Sequence, residues 1–155
     1  MPNQRFNRWL YRGGRPNRLA RAVNGVWARV FATGLGPGMT AALEVTGRTS
    51  GRPVTLPIVV VHLGGEHYLV SMLGENTNWV RNVRAAGGRA VLVRRGRTRV
   101  TLEDVPAQQR APIIKRYCQI APGGRVHIPV DPDAPLQEFA AVAGRYPVFR
   151  VTPEP

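Results

Sequence analysis

One short run, Gly47-Arg48-Thr49-Ser50-Gly51-Arg52, concentrates the polar chemistry of this chain. It supplies two guanidiniums and two hydroxyls as donors, and two glycines that let a ligand approach the backbone closely. Such a turn between strands can cradle a phosphate. It is not a P-loop, because the lysine is missing and a strand pattern follows instead of a helix. An ordinary polar turn accounts for the same residues. Further on, Trp79 and Asn82 stand three apart in a helical pattern and so share a face. An indole beside an amide can frame a heteroaromatic ring; a core tryptophan beside a locally satisfied asparagine is the plainer alternative. Ser71 ends a strand just before Gly74, and Ser50 is the only other serine. Neither lies in a nucleophile-elbow motif, so serine-hydrolase chemistry has little support. His62 and His67 face each other across a Gly64-Gly65 hairpin, but no third metal ligand is near and metal sites usually need three or four. His127 sits alone in a loop. Cys118 has no identifiable base and reads as structural.

These residues need elements to position them. Leu19, Val23, Val26, Trp27, Val30 and Phe31 recur at helical spacing after Asn17, a plausible N-cap, and Gly34 can end that helix. Phe6, Trp9, Leu10 and Tyr11 form an aromatic cluster upstream, and Gly36-Pro37-Gly38 reads as a linker. From Met39 the pattern turns β. Strands are predicted over Thr40–Thr46, Val54–Leu63 and His67–Met72, and over Arg89–Arg94 and Arg97–Glu103 about Gly96, with a last one at Tyr146–Val151. The Ile58-Val59-Val60-Val61 run predicts burial on both faces. Helices are predicted over Thr77–Ala86, closed by Gly87-Gly88; from Asp104 and Pro106 to Cys118, kinked at Pro112; and over Ala134–Ala143, capped by Asp133 and ended by Gly144. Ile120–Pro132 is a Pro/Gly-rich loop. Six strands with interspersed helices suggest a small barrel of α+β type, not a Rossmann sheet.

The 155 residues fit one domain, and 43% apolar content suffices for a core. Residues 1–36 read as a basic amphipathic arm and helix, and 37–155 as the barrel. The net charge is +13; Lys115 is the only lysine, so 21 of the 22 basic residues are arginine. That surplus suggests an anionic partner: a charged cofactor, a lipid surface or a nucleic acid. The Arg94-Arg95-Gly96-Arg97 turn is either a solvated hairpin tip or a nucleic-acid contact. The arginine-rich helix near the N-terminus either packs on the barrel or rests on an anionic membrane through residues 5–31. A single cysteine precludes an intrachain disulfide, and no stretch approaches the roughly 20 apolar residues of a membrane span or forms a secretory h-region. The expected location is the cytoplasm, with the inner face of the membrane as a peripheral site.

Order and spacing of three blocks then suggest a family. Leu43-Glu44-Val45-Thr46-Gly47-Arg48-Thr49-Ser50-Gly51-Arg52-Pro53, followed by Pro57, resembles the opening motif of the deazaflavin-dependent nitroreductases, also called F420H2-dependent quinone reductases. Ser71 to Gly74 and Asn78-Trp79-Val80-Arg81-Asn82 resemble the family's serine-glycine turn and Trp-x-x-Asn helix. Tyr146 to Pro153 resembles its last strand.

The resemblance implies an FMN-binding-like split β-barrel of about six strands with flanking helices. It implies coenzyme F420 as hydride donor, in a cleft touched by Arg48, Thr49 and Ser50, by Val54, Thr55, Leu56, Pro57, Ile58 and Val59, by Leu69, Val70, Ser71 and Met72, and by Asn78, Trp79, Val80, Arg81 and Asn82. Members often carry basic residues where Met72 and Val54 stand, and Arg52 or Arg81 could substitute. This coenzyme is anionic, with a phosphate and a polyglutamate tail, which an arginine-lined groove attracts. A quinone, nitroaromatic or enone is the expected acceptor, with Ser71 bonding ring or substrate and Tyr117 or Tyr146 donating the proton that follows hydride. A monomer or homodimer is expected, and no nucleic acid. The alternatives are a basic nucleic-acid-binding module and a related barrel that uses FMN or haem.

Overall fold

The computed structural model describes residues 18–34, 39–121 and 124–155. Seven strands form one antiparallel sheet: β1 (Thr40–Thr46), β2 (Pro53–Val59), β3 (Val61–Leu63), β4 (Glu66–Val70), β5 (Arg89–Val93), β6 (Arg97–Asp104) and β7 (Val148–Pro153). Their spatial order is β2-β1-β5-β6-β7-β4-β3. The sequence suggests six strands, and the seventh arises because the long apolar run breaks at Val60. Before the break, β2 pairs with β1 from Thr46↔Pro53 to Thr40↔Val59. Beyond it, β3 pairs with β4 from Val61↔Tyr68 to Leu63↔Glu66. At the switch itself, the Val60 N–H donates to the Met39 carbonyl at 2.6 Å. β2 and β3 are consecutive in the chain yet lie at opposite edges of the sheet, so the sheet curls round to bring those edges together.

Two apolar clusters follow from this curl. Inside it, Leu43, Ile58, Val60, Leu69, Val80, Val83, Val100, Leu102 and Phe149 pack together. Outside, Val61, Val70, Ile114, Tyr117, Cys118, Ile128, Phe139 and Val148 pack beneath the helices. The Ile58–Val61 run serves both clusters, as its unbroken apolarity predicts.

Helix α1 (Arg18–Ala32) lies across β1 and β2 and buries Ala28. It ends at Gly34, whose φ of +79° suits glycine. Asn17, the aromatic cluster upstream and the Gly36-Pro37-Gly38 linker lie outside the described residues. The hairpin tip at Arg94 is not simply solvated: it clasps the end of this helix. Arg94 donates from Nη1 to the Thr40 carbonyl at 2.7 Å and from Nη2 to the Gly34 carbonyl at 3.2 Å. The Arg95 N–H donates to the Ala32 carbonyl at 2.9 Å. Last-turn carbonyls of a helix lack partners, and a guanidinium satisfies them well.

The remaining helices are α2 (Asn78–Ala85), α3 (Ala111–Ile120), α4 (Gly124–His127) and α5 (Leu136–Val142). Four sequence expectations need correcting. The Ile120–Pro132 segment is not all loop: it contains α4, which ends on His127. Pro112 lies in the first turn of α3, where its missing N–H has no consequence, so it starts the helix instead of kinking it. Asp133 does not cap α5; its N–H donates to Asp131 Oδ1 at 2.8 Å, and Pro135 takes the cap position. The last strand begins at Val148, not Tyr146, because Ala143–Arg145 form a 3-10 turn and Pro147 has no N–H for a ladder.

Arg110 ties the helical side to the sheet. It is 8% exposed, and its guanidinium donates to the carbonyls of Val105 (2.7 Å), Ala143 (3.2 Å) and Tyr146 (3.3 Å). Arg110→Met should leave these acceptors unpaired and lower stability by about 3 kcal/mol, read as a shift of the urea midpoint. A second prediction concerns pH. His62 and His67 are paired across β3 and β4 with ring centroids 4.2 Å apart. Burial, and then the charge of His67, hold the His62 imidazole below its ordinary value. The folded chain therefore binds fewer protons there than the unfolded chain, and this contribution to stability is lost as pH falls through the lowered value. His62→Thr should flatten the decline in melting temperature between about pH 7 and about pH 5.

Candidate functional site

The Gly47–Arg52 bend closes on its own backbone. The Gly47 N–H donates to the Arg52 carbonyl at 2.8 Å, and the Gly51 N–H to the Gly47 carbonyl at 2.9 Å. Gly51 adopts φ +70°, which a side chain would resist. Ser50 Oγ accepts the Arg52 N–H at 3.2 Å, as in any polar turn. Arg48 does something a simple turn does not require. Its Nη1 donates to Asn82 Oδ1 at 2.8 Å, and its backbone N–H reaches the same oxygen at 3.2 Å. Its Nη2 lies 3.5 Å from Asn78 Oδ1. The bend is thus fastened to α2.

Helix α2 organises the rest. Asn78, Arg81 and Asn82 are spaced to share one face. Trp79 packs elsewhere: its ring meets Phe149 on β7, centroids 5.6 Å apart, against the barrel core. So the tryptophan serves packing, while the asparagine is claimed by Arg48. No side chain caps the first turn of α2. Thr77 stands at the cap, but its Oγ1 donates to the Gly74 carbonyl at 3.2 Å. Ser71 Oγ donates to that carbonyl at 2.8 Å and lies 3.1 Å from Thr77 Oγ1. The first-turn N–H groups of α2 therefore remain available to an anion.

Charge is sorted across the surface. Arg84 pairs with Glu75 and Asp104, Arg97 with Glu44, and Arg150 with Glu103. Hydrogen bonds that Arg84 donates to Glu75, and then to Asp104, raise its guanidinium above the ordinary value. Among the described residues, Arg48, Arg52 and Arg81 form no ion pair. Three guanidiniums without carboxylates, a glycine bend and an uncapped helix start make a donor set suited to phosphate or carboxylate.

Other residues singled out in the sequence divide by burial. Thr49 is exposed, as are Val54 and Thr55; Leu56, Pro57 and Val59 are half-buried. Ile58, Leu69, Val70 and Val80 are core residues and can offer a ligand only backbone. Met72 packs against the helical cluster, and its sulfur accepts the Tyr117 hydroxyl at 3.3 Å. Tyr146 donates to the His127 carbonyl at 3.0 Å, and burial pushes its phenol up. Arg48, Asn78 and Asn82 are joined directly, and Ser71 reaches the same helix through Thr77; Tyr117 and Tyr146 donate elsewhere, to Met72 and to the His127 carbonyl. The sequence marks Thr77 only as a helix start; its contact with Ser71, made across the turn at Gly74, is set by the fold. A concavity of about 330 Å³ beside Arg89, Arg99 and Glu154, and one of about 140 Å³ beside Tyr68 and Arg150, are lined by none of the predicted site residues. Among the described residues no group of three metal ligands occurs.

Comparison with known proteins bears on this arrangement. Residues 18–130 match the model of the F420H(2)-dependent quinone reductase family. No curated protein matches the chain significantly. Among solved structures, a protein of unknown function from Agrobacterium tumefaciens superposes with a TM-score of 0.54 at 18% identity, covering 83% of this chain and 53% of its own. This chain thus spans about half of that protein's length. An F420-H2 dependent reductase superposes with a TM-score of 0.51 at 20% identity, covering 74% of this chain and 95% of its own. At such identities these likenesses speak to the fold, a split β-barrel of α+β type. The family match spans most of the chain and includes α1, the bend, α2 and α3: the protein belongs to the F420H(2)-dependent quinone reductase family, an oxidoreductase whose cofactor is reduced coenzyme F420.

Proposed function

We propose that this reductase passes hydride to a quinone, with nitroaromatics and enones as further acceptors, and that the Arg48 bend and helix α2 hold the anionic end of the coenzyme. The observation that carries this reading is the fastening of Arg48 to Asn82 and Asn78, with no carboxylate to neutralise it. Arg52 and Arg81 extend the same positive surface. Backbone from Pro57 to Val59 flanks the ring, and the open first turn of α2 faces the negative group. Bound there, the deazaflavin would supply a two-electron hydride donor. Orientation and exclusion of water are the protein's part.

The hydroxyls divide by commitment. Ser71 is 1% exposed and bonded to the Gly74 carbonyl, so it holds the turn into α2 and is poorly placed to bond a substrate. Tyr146 is bonded to a backbone carbonyl and its phenol is pushed up, which disfavours proton donation. Tyr117, 6% exposed, donates to the thioether of Met72, so the two phenols stand as alternative proton sources. The nucleic-acid alternative loses support because Arg94 is committed to carbonyls of the protein itself.

A lipid surface at the inner face of the membrane suits a quinone acceptor. No described helix is long and apolar enough to cross a membrane. On α1, however, Val26 is 60% exposed and Trp27 51%, next to exposed Arg29. Apolar and basic groups together favour an anionic interface.

Reduced coenzyme should be reoxidised when mixed with menadione, followed by the ring absorbance; no turnover together with no change in ring fluorescence on mixing would reject the reading. Arg48→Ala should raise the KM for coenzyme about tenfold while leaving kcat within about threefold. In sedimentation with phosphatidylglycerol vesicles the protein should pellet, and Trp27→Ser should reduce the bound fraction severalfold. Equal recovery with neutral vesicles would remove the anionic surface from the account.

A further inference from the structure

Asn82 is 5% exposed, yet it is a polar residue in a helix that packs on the barrel core. Burying an amide is costly unless its atoms find partners. Its Oδ1 accepts twice from one residue, Arg48 Nη1 and the Arg48 N–H. Two donors from one side fix the amide orientation, because only the oxygen can face them. The other end of the amide, Nδ2, therefore points away from Arg48, and among the described residues it donates to nothing. No fully buried side-chain nitrogen or oxygen among the described residues lacks a partner, so Nδ2 reaches the surface. An arginine side chain otherwise samples many rotamers, and holding one in place uses interactions that something must supply. Here a single buried oxygen holds both the guanidinium and the backbone that carries it.

We infer that Asn82 is a positioning residue that acts through Arg48: it sets the place of this guanidinium for the anionic end of the coenzyme. The inference rests on the function proposed above. The neutral amide thereby governs an electrostatic contact that it does not make. A residue that only framed the ring would affect binding equally at all ionic strengths. A residue that positions a cation should affect it through the salt-dependent part.

The test is a fluorescence titration of oxidised coenzyme F420 at low and high sodium chloride, using the full chain. For Asn82→Ala the Kd should rise about tenfold at low salt and only about twofold at high salt, matching Arg48→Ala. In Arg48→Ala/Asn82→Ala the second substitution should add less than about twofold, since the pair acts as a unit. An Asn82→Ala salt dependence closer to wild type than to Arg48→Ala overturns the inference. Should Asn82→Ala fail to fold, Asn82→Asp keeps an acceptor for Arg48 while neutralising its charge. It should melt no lower than wild type and bind the coenzyme at least tenfold more weakly at low salt; wild-type affinity in that variant also overturns the inference. Wild-type protein that does not bind the coenzyme at all defeats the functional proposal instead, so the two failures are separable.

Discussion

The structure depends on one run of chain changing its partner. Pro53–Val59 is zipped to β1, and Val61–Leu63 to β4, with Val60 between them. Because the two ladders lie at opposite edges of the sheet, this single exchange curls the sheet and creates an inside and an outside. Ile58 and Val60 are consequently buried in one cluster and Val61 in the other. The Gly47–Arg52 bend is the other end of the same constraint. It must return the chain within a few residues to start β2 in register, which fixes its backbone and leaves its side chains free to face solvent or α2.

With 22 basic and 9 acidic residues, most arginines cannot have a carboxylate partner. Where the few acids go therefore decides where positive charge remains. Glu44, Glu103 and Asp104 sit on β1 and β6, Glu75 precedes α2, and their partners are the sheet arginines Arg97 and Arg150 and the helix arginine Arg84. Such exposed pairs add little stability individually. Their larger effect is on the pattern of the field: part of the sheet exterior is neutralised, while Arg48 and Arg52 at the bend, like Arg89 and Arg99 on the sheet, form no ion pair among the described residues. Arg94 and Arg110 are handled differently, by carbonyl oxygens, and each joins segments far apart in the chain.

Local pattern carried much of this fold. The strands about Gly64-Gly65 and Gly96, the helix after Thr77 and the two-faced burial of Ile58–Val61 follow from periodicity and turn chemistry alone. The bend and α2 could also be marked as candidate site elements, because glycines, hydroxyls and guanidiniums in one run are a compositional signal. What periodicity could not show was which long-range partner each polar group would take. Trp79 and Asn82 look like a pair at spacing three, yet one meets Phe149 and the other Arg48, and both partners come from distant strands or turns. The clasp of Arg94 on Gly34 and Thr40, 60 and 54 residues away, was invisible for the same reason. Misplaced caps had a local cause: Asp131 and Asp133 are both good cap residues, and the chain's geometry before Pro135 uses the first for a turn.

Met72 and Val54, where the family resemblance leads one to expect basic residues, have surroundings of their own. Met72 is half-buried beside the helical cluster and takes the Tyr117 hydroxyl, so a lysine or arginine there would have to bury a charge or displace Tyr117. Val54 is 40% exposed and could tolerate a cation, but it lies against the bend: a methyl built on Gly47 would come within 3.3 Å of its Cγ2. Under the proposed binding mode, charge would come from Arg48, Arg52 and Arg81, with positions 54 and 72 apolar. For a flexible anion with several negative groups this division is sufficient, because long-range attraction depends on how many cations remain unneutralised, and capture in one pose depends on how firmly one of them is held.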